Sequence, residues 1–353
     1  MTVSDQVNVR QFIASHQLEF SLLVLVAHVL ADKHAFVAAL QAPVRCWGSE
    51  KGTVHPRDVL DDWGFLAVFC FGFTLARPLV TDHLLQLTLR KYGFGPQDSS
   101  HLAALGWKAT SRGIMMLYAL GLWYNTPGLL NPQQLFQDWP QSQITHPMQC
   151  FFLLRIAFYL HQCLIMVIEP IKDDFIDKFL HHVLTCTVVV ACCNSRAYIL
   201  LYGILLTADL ADFLLAFVQI QRCLKYQKSL RNSLIIFIVI WVLTRHVTFG
   251  YLHWTLHRLL PVSGDCEAVV TGRMMLDPGA SGWGSLASQA QVTPGAVCLS
   301  RNVKLGLSGI SIALQGLFTI WTRDFIRVAL QVHNQCRAGE ARRKAARKGT
   351  SSF

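Results

Sequence analysis

An all-α, polytopic membrane bundle of about seven transmembrane helices is the fold class that the sequence predicts, and three observations carry it. Hydrophobic residues make up 52% of the chain and charged residues only 15%, with a mean hydropathy of +0.37; soluble domains carry about 25% charge. Apolar segments of the roughly 20 residues needed to cross a bilayer recur along the chain. The lysines and arginines between those segments alternate in a way that fixes one orientation.

In chain order, spans are expected near 63–81, 108–127, 149–169, 178–194, 197–222, 233–260 and 305–323. A weaker stretch, 18–40, is broken by Asp32 and Lys33 and reads as an interfacial segment or short extra helix, which would make an eighth. The N-terminus has no basic region followed by an unbroken apolar core, so a cleaved signal peptide is not expected. Basic residues cluster in the loop after the fifth span (Arg222, Lys225, Lys228, Arg231), in the 82–107 loop and just beyond it (Arg90, Lys91, Lys108, Arg112), and in the tail (Arg342, Arg343, Lys344, Arg347). The stretch Asn125–Gln149 contains none. Seven spans put all three basic segments on the cytoplasmic side, with a lumenal N-terminus and a cytosolic C-terminus. The formal net charge of +10 then reflects topology and attraction to anionic headgroups rather than nucleic-acid binding.

Three regions follow: 1–61 as a lumenal or interfacial segment, 62–330 as the transmembrane domain with a Gly-, Ser- and Pro-rich lumenal insertion at 261–303, and 331–353 as a basic cytoplasmic tail, either helical or disordered. Cys70, Cys150, Cys163, Cys186, Cys192, Cys193 and Cys223 lie in or beside spans and read as small apolar packers. Cys266 and Cys298 share the insertion, where an oxidising lumen permits a disulfide between them.

Ionisable residues inside the spans point to a site. A charge at bilayer depth costs at least a few kcal/mol, so such residues face a cavity and pair with one another. His181 and His182 open one span, Asp209 and Asp212 sit in the middle of the next, and Arg245 and His246 lie inside a third. The turn Asn194-Ser195-Arg196 makes the first two an antiparallel hairpin. Counting back at about 1.5 Å per residue places His182 and Asp209 at one level, and the same count places Asp212 level with Arg245. His161 falls at a similar depth on the preceding span. A His–Asp pair in such a layer suits acyl transfer, the carboxylate orienting an imidazole that acts as base or nucleophile. Helix–helix hydrogen bonding without chemistry is the competing explanation for each residue singly. Adjacent histidines project roughly 100° apart on a helix, which makes a shared metal awkward, so no metal ligands are assigned. His253 and His257 read as interfacial.

The string from Lys172 to Thr185 (Lys-Asp-Asp-Phe-Ile-Asp-Lys-Phe-Leu-His-His-Val-Leu-Thr) resembles the signature of the ceramide synthases in the TLC-domain superfamily. Asp209-Leu210-Ala211-Asp212 resembles the second half of that signature, and Trp241-Val242-Leu243-Thr244-Arg245 its following Trp-x-x-x-Arg. Gly106-Trp107-Lys108 and Phe158-Tyr159-Leu160-His161 fit it more loosely. The resemblance covers about 100–260 and implies a TLC-like bundle in the endoplasmic reticulum membrane. It implies transfer of a fatty acyl group from acyl-CoA, as co-substrate, to the amine of a sphingoid base, with no permanently bound cofactor. Expected partners are acyl-CoA, a sphingoid base, membrane lipids and a homo- or hetero-dimeric copy. On this resemblance His181, His182, Asp209 and Asp212 are the catalytic candidates, with Arg245 and Trp241 in the substrate site; His161 and His246 are assigned to that site on their counted depth. The chain departs from the family at Ala208, where a histidine is usual, and at Ala216, Gln219 and Gly250. Ala208 is expected to point to a different face from the one Asp209 and Asp212 share. Two functions remain open: an active N-acyltransferase, or a degenerate TLC-type lipid sensor, carrier or membrane organiser.

Overall fold

The computed structural model describes residues 16–31, 53–54, 63–124, 144–169, 175–194, 197–259 and 301–350. The expected insertion 261–303, with Cys266, lies outside the described residues apart from its last three positions, and so does Cys298. Helix α1 (Gln17–Ala31) packs on α2 (Trp63–Pro78). Of the run 18–40, the described residues, to Ala31, form one short apolar helix. Beyond Pro78 the α2 rod does not stop: a π-helical stretch, Leu79–Gln86, carries it into α3 (Leu87–Lys91). A proline inside a helix removes one backbone bond, and a widened turn is one way to absorb it.

The other helices are α4 (Pro96–Trp123), α5 (His146–Ile168), α6 (Phe175–Asn194), α7 (Tyr198–Cys223), α8 (Gln227–Val242), α9 (Phe249–Leu259) and α10 (Arg301–Thr350). A second π-helical stretch, Leu243–Thr248, joins α8 to α9. A two-residue pairing of β1 (Thr53–Val54) with β2 (Ile144–Thr145) precedes α5. Among the described residues, six helical rods are long and apolar enough to cross a membrane: Gly64–Lys91, His146–Ile168, Phe175–Cys193, Tyr198–Cys223, Ser229–Trp254 and Lys304–Ala338. The remaining expected span, 108–127, corresponds to α4. It starts at Pro96, well before position 108, because Pro96 at the first turn and Asp98 just behind it suit a helix N-terminus. Lys108, Thr110, Ser111 and Arg112 within it leave it less apolar than the six others. The basic tail is helical, as a direct continuation of α10.

The short connection after Asn194 folds α7 back on α6, and a backbone bond from Ala197 N–H to Cys192 O (2.9 Å) closes it. The following turn is centred on Lys225, whose φ of 58° is left-handed. Helix α7 is the central column, touching α4, α6 and α8; α10 covers α6 and α8, and α5 packs on α2 and α6. The core near the α6–α7 turn is aromatic: Phe151, Phe152, Tyr198 and Tyr202 are buried and in ring contact at 5.6–5.9 Å. The Tyr202 hydroxyl donates to Ala119 O of α4, and that of Tyr118 donates to Pro147 O at 2.9 Å. Each tyrosine therefore buries its ring and satisfies its polar tip.

Cys150, read from sequence as an apolar packer, is disulfide-bonded, and its partner lies outside the described residues. The other six cysteines read that way are free, as is Cys336. Periodicity could not separate Cys150 from them, because a buried thiol and a buried half-cystine occupy the same apolar positions.

Helices α4 and α7 approach closely where Gly113 faces Phe213: a Cβ at Gly113 would sit 3.3 Å from the Phe213 ring. Gly113→Leu should therefore lower the detergent-solubilised protein's stability by about 1–3 kcal/mol. Gly72→Leu, where a Cβ meets nothing within 4 Å, should change it far less. Thermal unfolding of the two variants side by side checks this, and equal shifts would contradict the close approach.

Candidate functional site

One cavity opens inside the bundle, and six helical rods contribute to its wall. Arg112 comes from α4, Tyr159 from α5, and His181, His182, Thr185 and Val188 from α6. Ile204, Leu205, Thr207, Ala208 and Asp212 come from α7, Thr244, Arg245 and Phe249 from the α8–α9 rod, and Leu314 and Phe318 from α10. The depth count thus brings His181, His182, Asp212 and Arg245 together. It does so because the α6–α7 hairpin is as tight as its three-residue turn demands.

Asp209 and Asp212 go different ways. Asp209 is fully buried and lies behind the wall, 2.7 Å from the Arg155 guanidinium, itself fully buried on α5. Arg155 also donates to the Tyr159 hydroxyl at 2.7 Å, one turn along its own helix. Asp212 reaches the cavity and accepts from Arg245 Nη2 at 2.7 Å. The same Arg245 nitrogen donates to Ala208 O at 3.3 Å. Arg112 stands between the two carboxylates, 3.6 Å from each, and donates to Gln162 Oε1 at 3.1 Å. The expected His–Asp hydrogen bond is absent among the described residues: arginines hold both carboxylates. Nδ1 of His181 and Nδ1 of His182 are buried without a protein partner.

Aromatic rings fix the cationic groups from the side. Arg245 lies over Trp241 and Phe318 at 5.2 and 5.0 Å, and Arg112 lies over Phe158 at 5.1 Å. Phe318 and Trp321 flank the His181 ring at 5.9 and 5.1 Å. Stacking of this kind holds a guanidinium in place without consuming its N–H donors. The hydroxyls of Thr185 and Thr207 bond back to carbonyls of their own helices, at His181 O and Gly203 O, so their lone pairs remain for the cavity.

Ala208 lines the cavity, contrary to the expectation from Asp209. Ala208 and Asp212 are one turn apart and share a face, and the cavity lies on that face rather than on the side of Asp209. His161, Trp241 and His246 are not in the wall. His161 is buried against Trp107, Phe73 and Phe158, its Nδ1 2.8 Å from the Thr74 hydroxyl. Its depth was counted correctly, but it points around α5 toward α2. His246 and Trp241 form a bracket onto α10. Trp241 Nε1–H donates to Thr322 Oγ1 (2.9 Å), and His246 Nε2 lies 2.8 Å from the same hydroxyl. Gln315 Nε2 donates to Arg245 O (2.8 Å), which leaves Oε1 to accept from His246 Nδ1–H at 3.0 Å. The bracket fixes the backbone that presents Arg245, at a π-helical turn of a kind often found at functional sites.

Three residues of this layer were not identified as site residues from sequence. Arg155 and Tyr159 lie inside an expected span, where the rule that drew attention to Arg245 applies equally. Arg112 lies inside the expected span 108–127 but only four residues from its start, where it reads as a cytoplasmic marker.

The arrangement defines a polytopic helical membrane protein with a buried cavity whose polar layer contains two histidines, one accessible carboxylate and stacked arginines. Residues 102–327, more than half of the chain, match the model of the TLC domain, and the chain belongs to the TLC-domain family. Its similarity there is to ceramide synthases. It shares 22% identity over 278 residues with a sphingosine N-acyltransferase-like protein of Alternaria alternata, covering 77% of this chain and 64% of the relative. With a ceramide synthase of Gibberella moniliformis it shares 23% over 230 residues (64% and 54%). With a sphingosine N-acyltransferase of Schizosaccharomyces pombe it shares 23% over 212 residues (60% and 49%). The chain spans about half to just under two thirds of the length of these curated relatives.

The buried pair gives a sharp expectation. Arg155→Leu strands a carboxylate in the core and should cost about 3–5 kcal/mol, whereas the double variant Arg155→Leu/Asp209→Leu should recover most of that loss. Melting temperatures of the purified variants in one detergent check it. Additive losses would mean that the two charges do not stabilise one another.

Proposed function

We propose that the chain is a sphingoid-base N-acyltransferase that moves a fatty acyl group from acyl-CoA to the amine of a long-chain base. The observation that carries this is the adjacent pair His181 and His182 in the wall of a membrane-buried cavity, level with Asp212 and Arg245. The relatives named as sphingosine N-acyltransferases and ceramide synthases support it. In the reaction the amine nitrogen attacks the thioester carbonyl, a C–N bond forms and the C–S bond breaks. One histidine takes the amine proton as general base and returns it to the departing thiolate. Thr185, Thr207 and Tyr159 offer hydroxyls for orienting the polar end of the base.

Ala208 and the capture of both carboxylates by arginines favour a second function, lipid binding without turnover. The assay that separates them is N-acylation of sphinganine by purified protein supplied with acyl-CoA of several chain lengths. Ceramide formation with free CoA supports the transferase. Lipid binding with no CoA release at any length supports the sensor or carrier.

If the transferase is correct, His181→Ala or His182→Ala should cut kcat about 100-fold or more with a smaller change in KM, since a proton-transfer group acts in the transition state. Near-normal turnover in both variants would remove them from the mechanism.

The proposed location is the endoplasmic reticulum, with the tail beyond Arg337 and the Arg222–Arg231 turn in the cytosol and 261–303 in the lumen. The disulfide at Cys150, beside the Lys- and Arg-free stretch, supports a lumenal placement of that end. Glycosylation sites inserted in 261–303 should be modified and sites inserted at Arg222–Arg231 should not. The reverse pattern would invert the route by which acyl-CoA reaches the cavity.

A further inference from the structure

The charges around the cavity do not cancel. Three guanidiniums, those of Arg112, Arg155 and Arg245, face two carboxylates, those of Asp209 and Asp212. Arg155 and Arg245 each sit 2.7 Å from a carboxylate oxygen and account for one aspartate apiece. Arg112 is left as the extra cation: both of its carboxylate contacts are 3.6 Å, longer than a hydrogen bond. Its Nη1 is buried with no hydrogen-bond acceptor in the protein, its side chain is 11% exposed, and it lines the cavity beside His181 and His182. A buried guanidinium with an unused donor is strongly unfavourable unless an anion or acceptor meets it.

The cavity is also polarised along its length. Helices α6 and α7 run antiparallel, so both the step from His182 to Val188 and the step from Asp212 to Leu205 lead toward the turn between them, by roughly 9–11 Å at 1.5 Å per residue. The wall turns apolar over that distance. An anionic head at Arg112 with an alkyl chain directed toward the α6–α7 turn fits both features.

We infer that Arg112 is a monoanion subsite, and that the cavity binds the carboxylate of a free long-chain fatty acid there. One uncompensated positive charge matches a carboxylate; a phosphate monoester, as a dianion, would overshoot it. This deepens the acyl-transfer proposal and rests on it for its biological sense. The carbonyl oxygen of an attacked thioester gains the same single negative charge, so the group that holds the carboxylate would also hold that oxygen.

The test is equilibrium binding of radiolabelled hexadecanoate to the purified full-length chain at pH 8, in competition with hexadecanol and hexadecyl phosphate. Because a charge-assisted hydrogen bond contributes more than a factor of ten in affinity, the wild type should prefer the carboxylate over both competitors by about tenfold or more. Arg112→Gln should reduce the preference over the alcohol to within about twofold, while Arg112→Lys, which keeps the charge, should retain most of it. Equal wild-type binding of acid and alcohol, tighter binding of the phosphate, or a preference that survives in Arg112→Gln would overturn the assignment. The wild-type comparison decides even if Arg112→Gln fails to fold. Since no turnover is needed, failure of the acyl-transfer assay leaves this binding result standing, and the converse holds equally.

Discussion

Two aspartates one turn apart on α7 receive guanidiniums from three other helical rods, and four of the six walls of the cavity are tied together by that. Arg155 ties α5 to Asp209, Arg245 ties the α8–α9 junction to Asp212, and Arg112 brings α4 to both. In a bilayer no water competes for these groups, and lipid tails give helices little hydrophobic reason to associate. Ion pairs made at depth are therefore hard to exchange for anything else. Removing one partner leaves a buried charge, which costs more than the pair contributes as a unit. The network thus acts first as a constraint on which helices are neighbours.

A second layer of polar contacts refines what the first sets coarsely. Arg245 sits on a π-helical turn, a backbone form that needs support from outside the helix. The α10 side chains Gln315 and Thr322 supply it through Arg245 O, His246 and Trp241. Trp241 contributes twice, donating to Thr322 and offering its ring to the guanidinium. Three residues expected at the substrate site, His161 and His246 from their depth and Trp241 from the resemblance, do not line the cavity and make contacts between helices. Depth alone does not distinguish the two uses, because a helix has a circumference as well as a length.

That distinction marks how far the sequence could be read. Composition and span spacing yield the bundle, and a tight turn plus the rise per residue yield the levels of His182, Asp212 and Arg245. Both rest on local geometry that every helix shares. Azimuth is different: whether Asp209 or Asp212 faces the cavity depends on where Arg155 stands on a neighbouring helix, and that is a tertiary fact. Arg155 itself was visible as a charge in an apolar span. Arg112 was obscured by its place only four residues from the start of the expected span, where a basic residue reads as a cytoplasmic marker. Ala208 shows the same limit in reverse, because its angle to Asp209 was right and the location of the cavity was not.

The arginine-held carboxylates also bear on how a histidine would work here. Neither aspartate is hydrogen-bonded to an imidazole, so the proposed base has no carboxylate of its own to stabilise the cation it becomes. In acyl transfer, however, proton capture and attack at the carbonyl create an imidazolium and an oxyanion together, and the cavity's net charge does not change. On the proposal above Arg112 would hold the oxyanion, and Asp212, which lines the same cavity, would face the imidazolium. On that proposal the histidine would be protonated in step with the substrate, and the site would be selective for the transition state in which the two charges arise together.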